Sequence, residues 1–333
     1  MHPKFIVTIN GKPVSGLFLS LLKSLTVNDR DGTRSDSLEL ELNDGPPAFL
    51  EIPDKRAIIN VWGGYVETGI DYFGSFSDAD VNVDCLPYGM SISAKAADIK
   101  AGLKKQQERH WDDATVGQVF GDLAGEQGLS LQIAPALANL KFPNKWAGMQ
   151  NESIMHFGRR VADRMGGLFA IKDGKMIMAE KGSGQSPAGA AIGELIITRQ
   201  MIVPGTCKVH FAAREKVKKV KAEYQDIENG KRETVEVEAN PDADPDAEYT
   251  MRQPFGDKDE AERAAKSKAR ELGSSADTTS VEIEGNTAAR GGAPMRYAGV
   301  RPGVDDVPFI IESAGHQFSK SGYKTAIEGK AKQ

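Results

Sequence analysis

Two similar stretches near opposite ends of the chain decide the fold: FGSFSDADVNVDCLPYGMSISAKA (Phe73–Ala96) and FIIESAGHQFSKSGYKTAIEGKA (Phe309–Ala331). Each predicts an alternating strand, a loop with glycine and tyrosine, and a second strand that closes on a small residue, lysine and alanine. A further strand precedes each of them, at Ser37–Leu42 and Ser280–Glu284. Two like β units far apart indicate an internal duplication, although unrelated β-hairpins can also look alike.

Composition limits the class of protein. A chain of 333 residues predicts two or three domains. With 40% hydrophobic and 27% charged residues, it is typical of a soluble globular protein. No stretch approaches the ~20 apolar residues of a membrane helix, so we expect no membrane insertion. The N-terminus alternates like a strand and does not read as a signal peptide.

The two cysteines, Cys85 and Cys207, lack the C-x-x-C spacing of redox and zinc motifs. We therefore expect buried thiols rather than a disulfide or a metal site, and synthesis in a reducing compartment.

Charge is distributed unevenly. The net charge of −5 argues against nucleic acid as a tightly held partner. Lys208–Lys221 carries six bases and one acid (6 − 1 = +5), and Glu223–Glu262 carries four bases and fourteen acids (4 − 14 = −10). This contrast indicates either an interaction surface or, more commonly, solvated strand faces with a flexible acidic loop at Asn240–Asp246.

The chain divides into three predicted parts. Residues 1–97 form a first β domain, residues 98–182 a small α+β domain, and residues 183–333 a second β domain with a helix and an acidic loop. In the first part, Asn10-Gly11 predicts a tight hairpin turn. Leucines 38, 40 and 42 alternate with Glu39 and Glu41, which predicts a strand with one buried and one solvated face.

The middle part predicts two helices and a hairpin. The first helix would be capped by Asp113, end at Gly128 and bury Val116, Val119, Phe120, Leu123 and Ala124. The second would begin near Asn151, bury Ile154, Phe157, Val161 and Met165, and stop at Gly166-Gly167. A hairpin would turn at Asp173-Gly174. The following Gly182–Gly189 has the composition of a linker.

The last part predicts a hairpin around Asn229-Gly230 and a helix capped by Asp257 and Glu260. Alanines 261, 264 and 265 form a stripe on this helix, so we expect it to pack closely against a flat sheet.

No catalytic, cofactor-binding or metal-binding residues are assigned. The chain lacks the phosphate-loop, dinucleotide-binding and nucleophile-elbow motifs. Five histidines are scattered one per element, and His110 and His156 are interpreted as packing or surface residues rather than catalytic bases. A glycosidase pair could be assembled from the 47 acidic residues, but nothing local selects one.

Several co-linear segments resemble the late control protein D family of contractile-tailed phages, the baseplate tail hubs, which are related to the base of type VI secretion spikes and to R-type tailocin hubs. The segments are Ser24–Gly32, Ser35–Asp44, Asn60–Tyr65, Met90–Ala97, Arg109–Trp111, Thr115–Gln118, Gln127–Leu129, Gln150–Phe157, Ala261–Ala269, Gly299–Gly303, Ile310–His316 and Gly322–Thr325. Two positions depart from the family pattern: Ile154 stands where aspartate is usual, and Gly158 where leucine is usual.

The resemblance implies a mainly β fold, with two tail-tube-like antiparallel β-barrels flanking a small α+β domain. It implies a non-enzymatic homotrimer that adapts the sixfold tail tube to the threefold central spike and forms a channel for tape-measure protein and DNA. Implied partners are the spike, the tail tube, the tape-measure protein, other baseplate proteins and DNA in transit. The implied location is the virion tail baseplate, after assembly in the host cytoplasm.

Two acidic strand faces, Glu39/Glu41 and Glu282/Glu284, occupy equivalent places in the repeat. Our hypothesis is that they line the channel, because like charge keeps DNA from adhering; ordinary solvent-facing strand residues are the alternative. A tailocin or type VI-like hub would share the fold. A phage cell-wall hydrolase would need a cleft with converging carboxylates or a metal, and an adhesin would not explain the middle domain.

Overall fold

The computed structural model describes residues 1–31, 36–47, 49–54, 56–96, 101–172, 174–180, 193–212, 217–227, 229–241, 243–274, 277–305 and 307–332. Contacts divide the chain into two units. The first unit comprises Met1–Ile99, Gly193–Val209 and Thr279–Gly329, and the second comprises Lys100–Ile192, His210–Thr278 and Lys330–Gln333. Both units are thus discontinuous in sequence, whereas the sequence predicted three consecutive domains. Within the described residues, no helix has the length and hydropathy needed to span a bilayer.

One thirteen-stranded sheet dominates the first unit. Its strands are β1 (Pro3–Ile9), β2 (Lys12–Pro13), β3 (Leu22–Arg30), β4 (Ser37–Leu42), β5 (Ile59–Tyr65), β6 (Gly69–Cys85), β7 (Tyr88–Ala96), β13 (Leu195–Thr198), β14 (Lys208–His210), β18 (Thr278–Glu284), β19 (Pro294–Ala298), β20 (Phe309–Ser319) and β21 (Gly322–Ala331). A short helix α1 (Gly16–Leu21) and a 3-10 turn (Arg199–Met201) accompany them.

Two groups of four strands have the same order in this sheet. We call β3-β4-β7-β6 the N-terminal repeat and β14-β18-β21-β20 the C-terminal repeat. β6–β7 and β20–β21 are the two similar hairpins of the sequence, and β4 and β18 are the strands that precede them. A further strand flanks each group, β5 beside β6 and β19 beside β20. The repeated order supports the internal duplication.

Local sequence explains the first repeat. Asn10 and Gly11 have φ of 49° and 77°, the left-handed conformation that a two-residue hairpin turn needs, and they join β1 to β2 as predicted. On β4 the three leucines are at most 1% exposed while Glu39 and Glu41 face solvent, which confirms the alternation predicted from sequence.

The two repeats are joined by a seam, the antiparallel pairing of β20 with β3. Seven residues of β20, from Ser313 to Ser319, pair with seven of β3, from Arg30 to Ser24. Phe318 of β20 packs against Phe5 of β1 at 5.7 Å and stacks on Tyr323 of β21 at 4.1 Å between ring centroids. The apolar core of the N-terminal repeat therefore includes side chains from the C-terminal hairpin.

The second unit contains three small sheets and five helices among its described residues. Its strands are β8 (Gln106–Asp112), β9 (Ser130–Ile133), β10 (Trp146–Ser153), β11 (Gly167–Lys172), β12 (Lys175–Glu180), β15 (Lys219–Asp226), β16 (Lys231–Glu238) and β17 (Glu248–Thr250). Its helices are α2 (Ala101–Lys104), α3 (Val116–Glu126), α4 (Pro135–Ala138), α5 (Ile154–Arg164) and α6 (Lys258–Ser274), with a 3-10 turn at Pro143–Lys145. The sheets pair β8 with β10, β9 with β12 and β11, and β15 with β16 and β17.

Helices α3 and α5 were predicted, and all the apolar residues assigned to their inner faces are buried. The predicted cap of α3 is wrong. Thr115, not Asp113, is the N-cap, because its side chain accepts from Gln118 N while the Gln118 side chain accepts from Thr115 N. Asp113 instead has φ of 49° and accepts a hydrogen bond from Lys141 Nζ at 2.8 Å.

Helix α6 covers the β15–β16–β17 sheet with its alanine stripe, as predicted. Asp257 caps the helix by accepting from Glu260 N at 2.7 Å, and Glu260 accepts from Gly256 N at 2.9 Å. Gly230, with φ of 63°, turns the β15–β16 hairpin. The predicted linker lies outside the described residues. The chain is mainly β, as the sequence indicated.

Candidate assembly surface

The edge of strand β6 changes partners half-way along its seventeen residues. On one side it pairs with β7 from Phe76 to Cys85, and on the other with β5 from Gly69 to Phe76. Within the described part of the chain, no strand pairs with the second side of residues 77–85.

In the C-terminal repeat, the edge of β20 that is equivalent to this edge of β6 is paired with another strand. Its first residues, Phe309 and Ile310, pair with β19, as the first half of β6 pairs with β5. Its later residues, Ser313–Ser319, pair with β3 and form the seam. Residues 77–85 of β6, whose second side is unpaired among the described strands, therefore correspond to Ser313–Ser319 of β20. In β20 this segment pairs with β3, the edge strand of the N-terminal repeat.

Strand β14 offers the complementary edge. It corresponds to β3 in the order of the repeats and lies at the end of the sheet, where it pairs with β18 alone among the described strands. The sheet thus has two available edges: the edge of β6 is equivalent to that of β20, and the edge of β14 is equivalent to that of β3. Unpaired N–H and C=O groups at such edges bind other strands.

Exposed apolar side chains cluster at the β6 edge, and one follows β14. Val83, Leu86 and Tyr88 lie at the end of the β6–β7 hairpin, where it extends beyond the core. The Tyr88 ring contacts the exposed Phe49 ring with centroids 5.6 Å apart. Beside β14, Phe211 is 52% exposed. Large exposed apolar groups of this kind mark interaction surfaces.

The solvent face of the N-terminal repeat is polar. Glu39 lies opposite Ser93 on one neighbouring strand and Thr26 on the other. Glu41 lies opposite Ser91 and accepts a hydrogen bond from Ser24 at 3.2 Å. Both glutamates are exposed, as predicted.

In the C-terminal repeat the acidic face is partly neutralised. Glu284 is exposed, but Glu282 is half-buried and pairs with Lys324 Nζ at 2.6 Å. The two predicted acidic faces thus differ in free charge.

His316 is buried inside the first unit. Its Nε2 donates to the Ala289 carbonyl at 3.0 Å, and its Nδ1 accepts from the Tyr323 hydroxyl at 2.8 Å. The Phe73 ring stacks on it at 4.5 Å. Burial lowers the pKa of His316 to about 4, so the imidazole is neutral and structural at pH 7.

The other candidate groups are dispersed. His110 is exposed on β8, and His156 is exposed on α5 beside Glu152. In the described ranges, no three His, Cys, Asp or Glu side chains are placed to hold a metal ion. Both cysteines are free, but the prediction of buried thiols is wrong for Cys85, which is exposed because it ends β6 beyond the core.

Comparisons with known proteins agree on one family. The chain is 24% identical to the probable baseplate hub protein of Escherichia phage 186 over 98% of its length and 92% of the relative's. It is 29% identical to the probable baseplate hub protein of Escherichia phage P2 over 60% of its length and 51% of the relative's.

Solved structures share the fold. The 43 kDa tail protein of prophage MuSo2 from Shewanella oneidensis superposes with a TM-score of 0.69 at 13% identity, covering 98% of each chain. An E. coli component of the type VI secretion system superposes with a TM-score of 0.57 at 9% identity, covering 97% of this chain and 76% of that one. The model of the phage tail baseplate hub (GPD) family matches residues 40–321. The chain therefore belongs to the phage tail baseplate hub family.

Proposed function

We propose that this baseplate hub protein acts as a homotrimer in which three chains contribute six β-barrel-like repeats. The ring adapts a sixfold tail tube to a threefold central spike, and it encloses a channel for tape-measure protein and DNA. It contacts the tube, the spike, the tape-measure protein and other baseplate proteins, and it assembles in the host cytoplasm. Its role is mechanical and not catalytic.

The observation that carries this proposal is the repeated strand order with one seam inside the chain. The seam joins the β20 edge of the C-terminal repeat to the β3 edge of the N-terminal repeat. Two further edges are available: β6, which is equivalent to β20, and β14, which is equivalent to β3. If β6 of one chain pairs with β14 of the next, every junction in the ring has the same form.

Such a contact is head-to-tail, so it forms a closed ring only if the rotation between chains divides the circle. Six equivalent repeats at equal rotations close with three chains. Main-chain pairing supplies the binding energy at each junction, as in strand addition. The exposed apolar groups around Val83 and Phe211 are then buried between chains.

Channel charge follows from the polar face. In this ring Glu39 and Glu41 of each N-terminal repeat face the lumen, together with the serine and threonine side chains opposite them. Glu284 does so in the C-terminal repeat. At these positions the lumen carries carboxylates, which repel the phosphates of DNA.

Native mass of the purified chain, alone and with a central spike protein, tests the trimer. We expect three times 35.9 kDa, either for the chain alone or after the spike is added. Val83→Lys places a charge at the free β6 edge and should leave a monomer in both conditions. Ile227→Lys, at an exposed position in the second unit, should leave the trimer intact. A monomer or dimer of the unmodified chain with every tail protein tried would overturn the proposal.

A hub of a tailocin or type VI-like particle is the second candidate, since the fold is shared with a type VI secretion component. Such a particle would carry the same trimer without DNA passage. Particles purified with this hub separate the two functions: packaged DNA indicates a phage, and its absence from every intact particle indicates an injection device.

A further inference from the structure

A polar cleft of about 680 Å³ opens in the second unit beside the β8–β10 ribbon and the start of α5. Its volume lies in the range of small-molecule sites, about 300–1,000 Å³. Its walls carry the side chains of Lys104, Gln106, Trp146, Gln150, Asn151 and His156. Nothing in the assembly proposed above uses this cleft.

A β-bulge places two amide groups at the cleft. Met149 pairs with Arg109 and Glu152 with Gln107, so Gln150 and Asn151 together oppose a single residue of β8. Asn151 has φ of 50°, a left-handed conformation that asparagine tolerates better than most residues. Bulges re-aim side chains and recur beside binding sites. Here the bulge directs two neutral hydrogen-bonding amides to one wall.

Trp146 forms a flat aromatic wall. The residue is 47% exposed, and the outer edge of its ring lies against Gly148. A Cβ at Gly148 would come within 2.0 Å of the ring, so the glycine is what permits this position. An exposed indole offers an apolar face next to polar groups.

The charged groups at the base of the cleft are already paired. Glu152, whose side chain is 10% exposed, hydrogen-bonds His156 Nδ1 at 2.6 Å and accepts two hydrogen bonds from the Arg160 guanidinium. Although burial acts to raise the pKa of Glu152, hydrogen bonds from Arg160 and His156 lower it, so the carboxylate is ionised. Arg160 also donates to the Gly148 carbonyl at 2.8 Å.

These pairings decide the class of ligand. With Arg160 bound to Glu152, Lys104 is the remaining cation among the described lining residues, which is too little for a polyphosphate or a nucleic acid. Glu152 is the one carboxylate of that lining, whereas glycoside hydrolysis uses two. What remains is an aromatic face surrounded by amide, imidazole and hydroxyl groups. The aromatic face can pack against the C–H groups of a sugar ring, and the polar groups can hydrogen-bond its hydroxyls.

We propose that this cleft binds an uncharged oligosaccharide without hydrolysing it. A pyranose ring stacks on Trp146, and its hydroxyls bond with the amides of Gln150 and Asn151. The Glu152 carboxylate accepts from His156 Nδ1–H, which leaves Nε2 to form a hydrogen bond with a sugar hydroxyl. The site belongs to the second unit alone and is independent of the proposed trimer.

Calorimetric titration of the full chain with cellotetraose, maltotetraose and tetra-N-acetylchitotetraose tests this site. We expect at least one sugar to bind saturably, with one site per chain. Trp146→Ala should weaken that binding by roughly tenfold, while Trp146→Phe retains part of it because an aromatic face remains. Asn151→Gly removes the amide but tolerates the positive φ, so it should weaken binding with the bulge intact.

Trp62→Phe, a tryptophan variant in the first unit, is the matched control and should bind normally. Thermal unfolding of each variant checks that it is folded. The proposal is overturned if none of the sugars saturates the protein at about 10 mM, or if Trp146→Ala binds like the unmodified chain. Tighter binding of a thymidine tetranucleotide than of every sugar would overturn the assigned class of ligand.

Discussion

His316 shows how one buried side chain ties the two hairpins of the duplication together. It lies on β20, bonds Tyr323 on β21 and stacks on Phe73 of β6. The imidazole fills this position only while neutral, because burial opposes its charge and Arg290 adds to that opposition, while Asp29 acts against it. The sequence showed an isolated histidine, and isolation alone gave no sign of this packing role.

Acid should therefore destabilise the first unit through His316. Its pKa is about 4 when folded and about 6.5 when unfolded, so between these values the unfolded chain binds the extra proton. The contribution of the neutral His316 to the unfolding free energy is complete above pH 6.5. It decreases as pH falls, by roughly 2 kcal/mol between pH 7.5 and pH 5. Urea unfolding at both pH values measures it.

His316→Gln should have a smaller pH dependence than the unmodified chain by about that amount, because glutamine does not titrate. His110→Gln, at an exposed site, should keep the full dependence. Equal pH dependence in His316→Gln and the unmodified chain would contradict this assignment.

At the scale of elements, Gly158 permits a close contact between α5 and β11. It lies on the face of α5 that packs against β11, and a Cβ there would come within 2.6 Å of the Phe169 ring. Phe169 is fully buried, and in a close-packed interior its ring has little room to shift. A leucine at position 158 would therefore compete with this ring for the same space.

Introducing a leucine at this position should thus destabilise the second unit. Gly158→Leu overpacks the α5–β11 contact, and we expect it to lower the unfolding free energy by about 1–3 kcal/mol. Phe169→Ala alone leaves a cavity that costs about 3–5 kcal/mol. The double variant should lose less than the sum, since the leucine fills part of the cavity. Strict additivity in urea unfolding would show that the two side chains do not compete for space.

Sequence reasoning succeeded where the signal is local. The Asn10-Gly11 turn, the leucine alternation of β4 and the apolar faces of α3 and α5 all depend on residues a few positions apart. It failed at the α3 cap, where Asp113 and Thr115 are both capable caps and only Thr115 lies three residues before Gln118. It could not reveal the seam or the Trp146 cleft, which depend on pairings between distant strands and on exposure.

At the scale of the whole molecule, the proposed channel predicts a defect caused by charge alone. Glu39→Lys with Glu41→Lys places six lysines in a trimer's lumen, where they would bind passing DNA. In a phage complemented with this variant, we expect normal particle numbers by electron microscopy but infectivity lowered by roughly tenfold or more. Glu108→Lys with Glu238→Lys, exposed in the second unit, is the charge-matched control. Full infectivity of the first variant would place these glutamates outside the channel.

The seam between β3 and β20 also has a consequence for synthesis on the ribosome. β3 ends at Arg30, and its partner strand is not complete until Ser319 has been translated. Throughout that interval the edge of β3 that will pair with β20 has no intramolecular partner. It stays unpaired or forms a non-native pairing. Chains whose synthesis stops early would therefore lack the complete sheet. If assembly of the particle requires that sheet, incomplete chains are excluded from it without a separate quality-control factor.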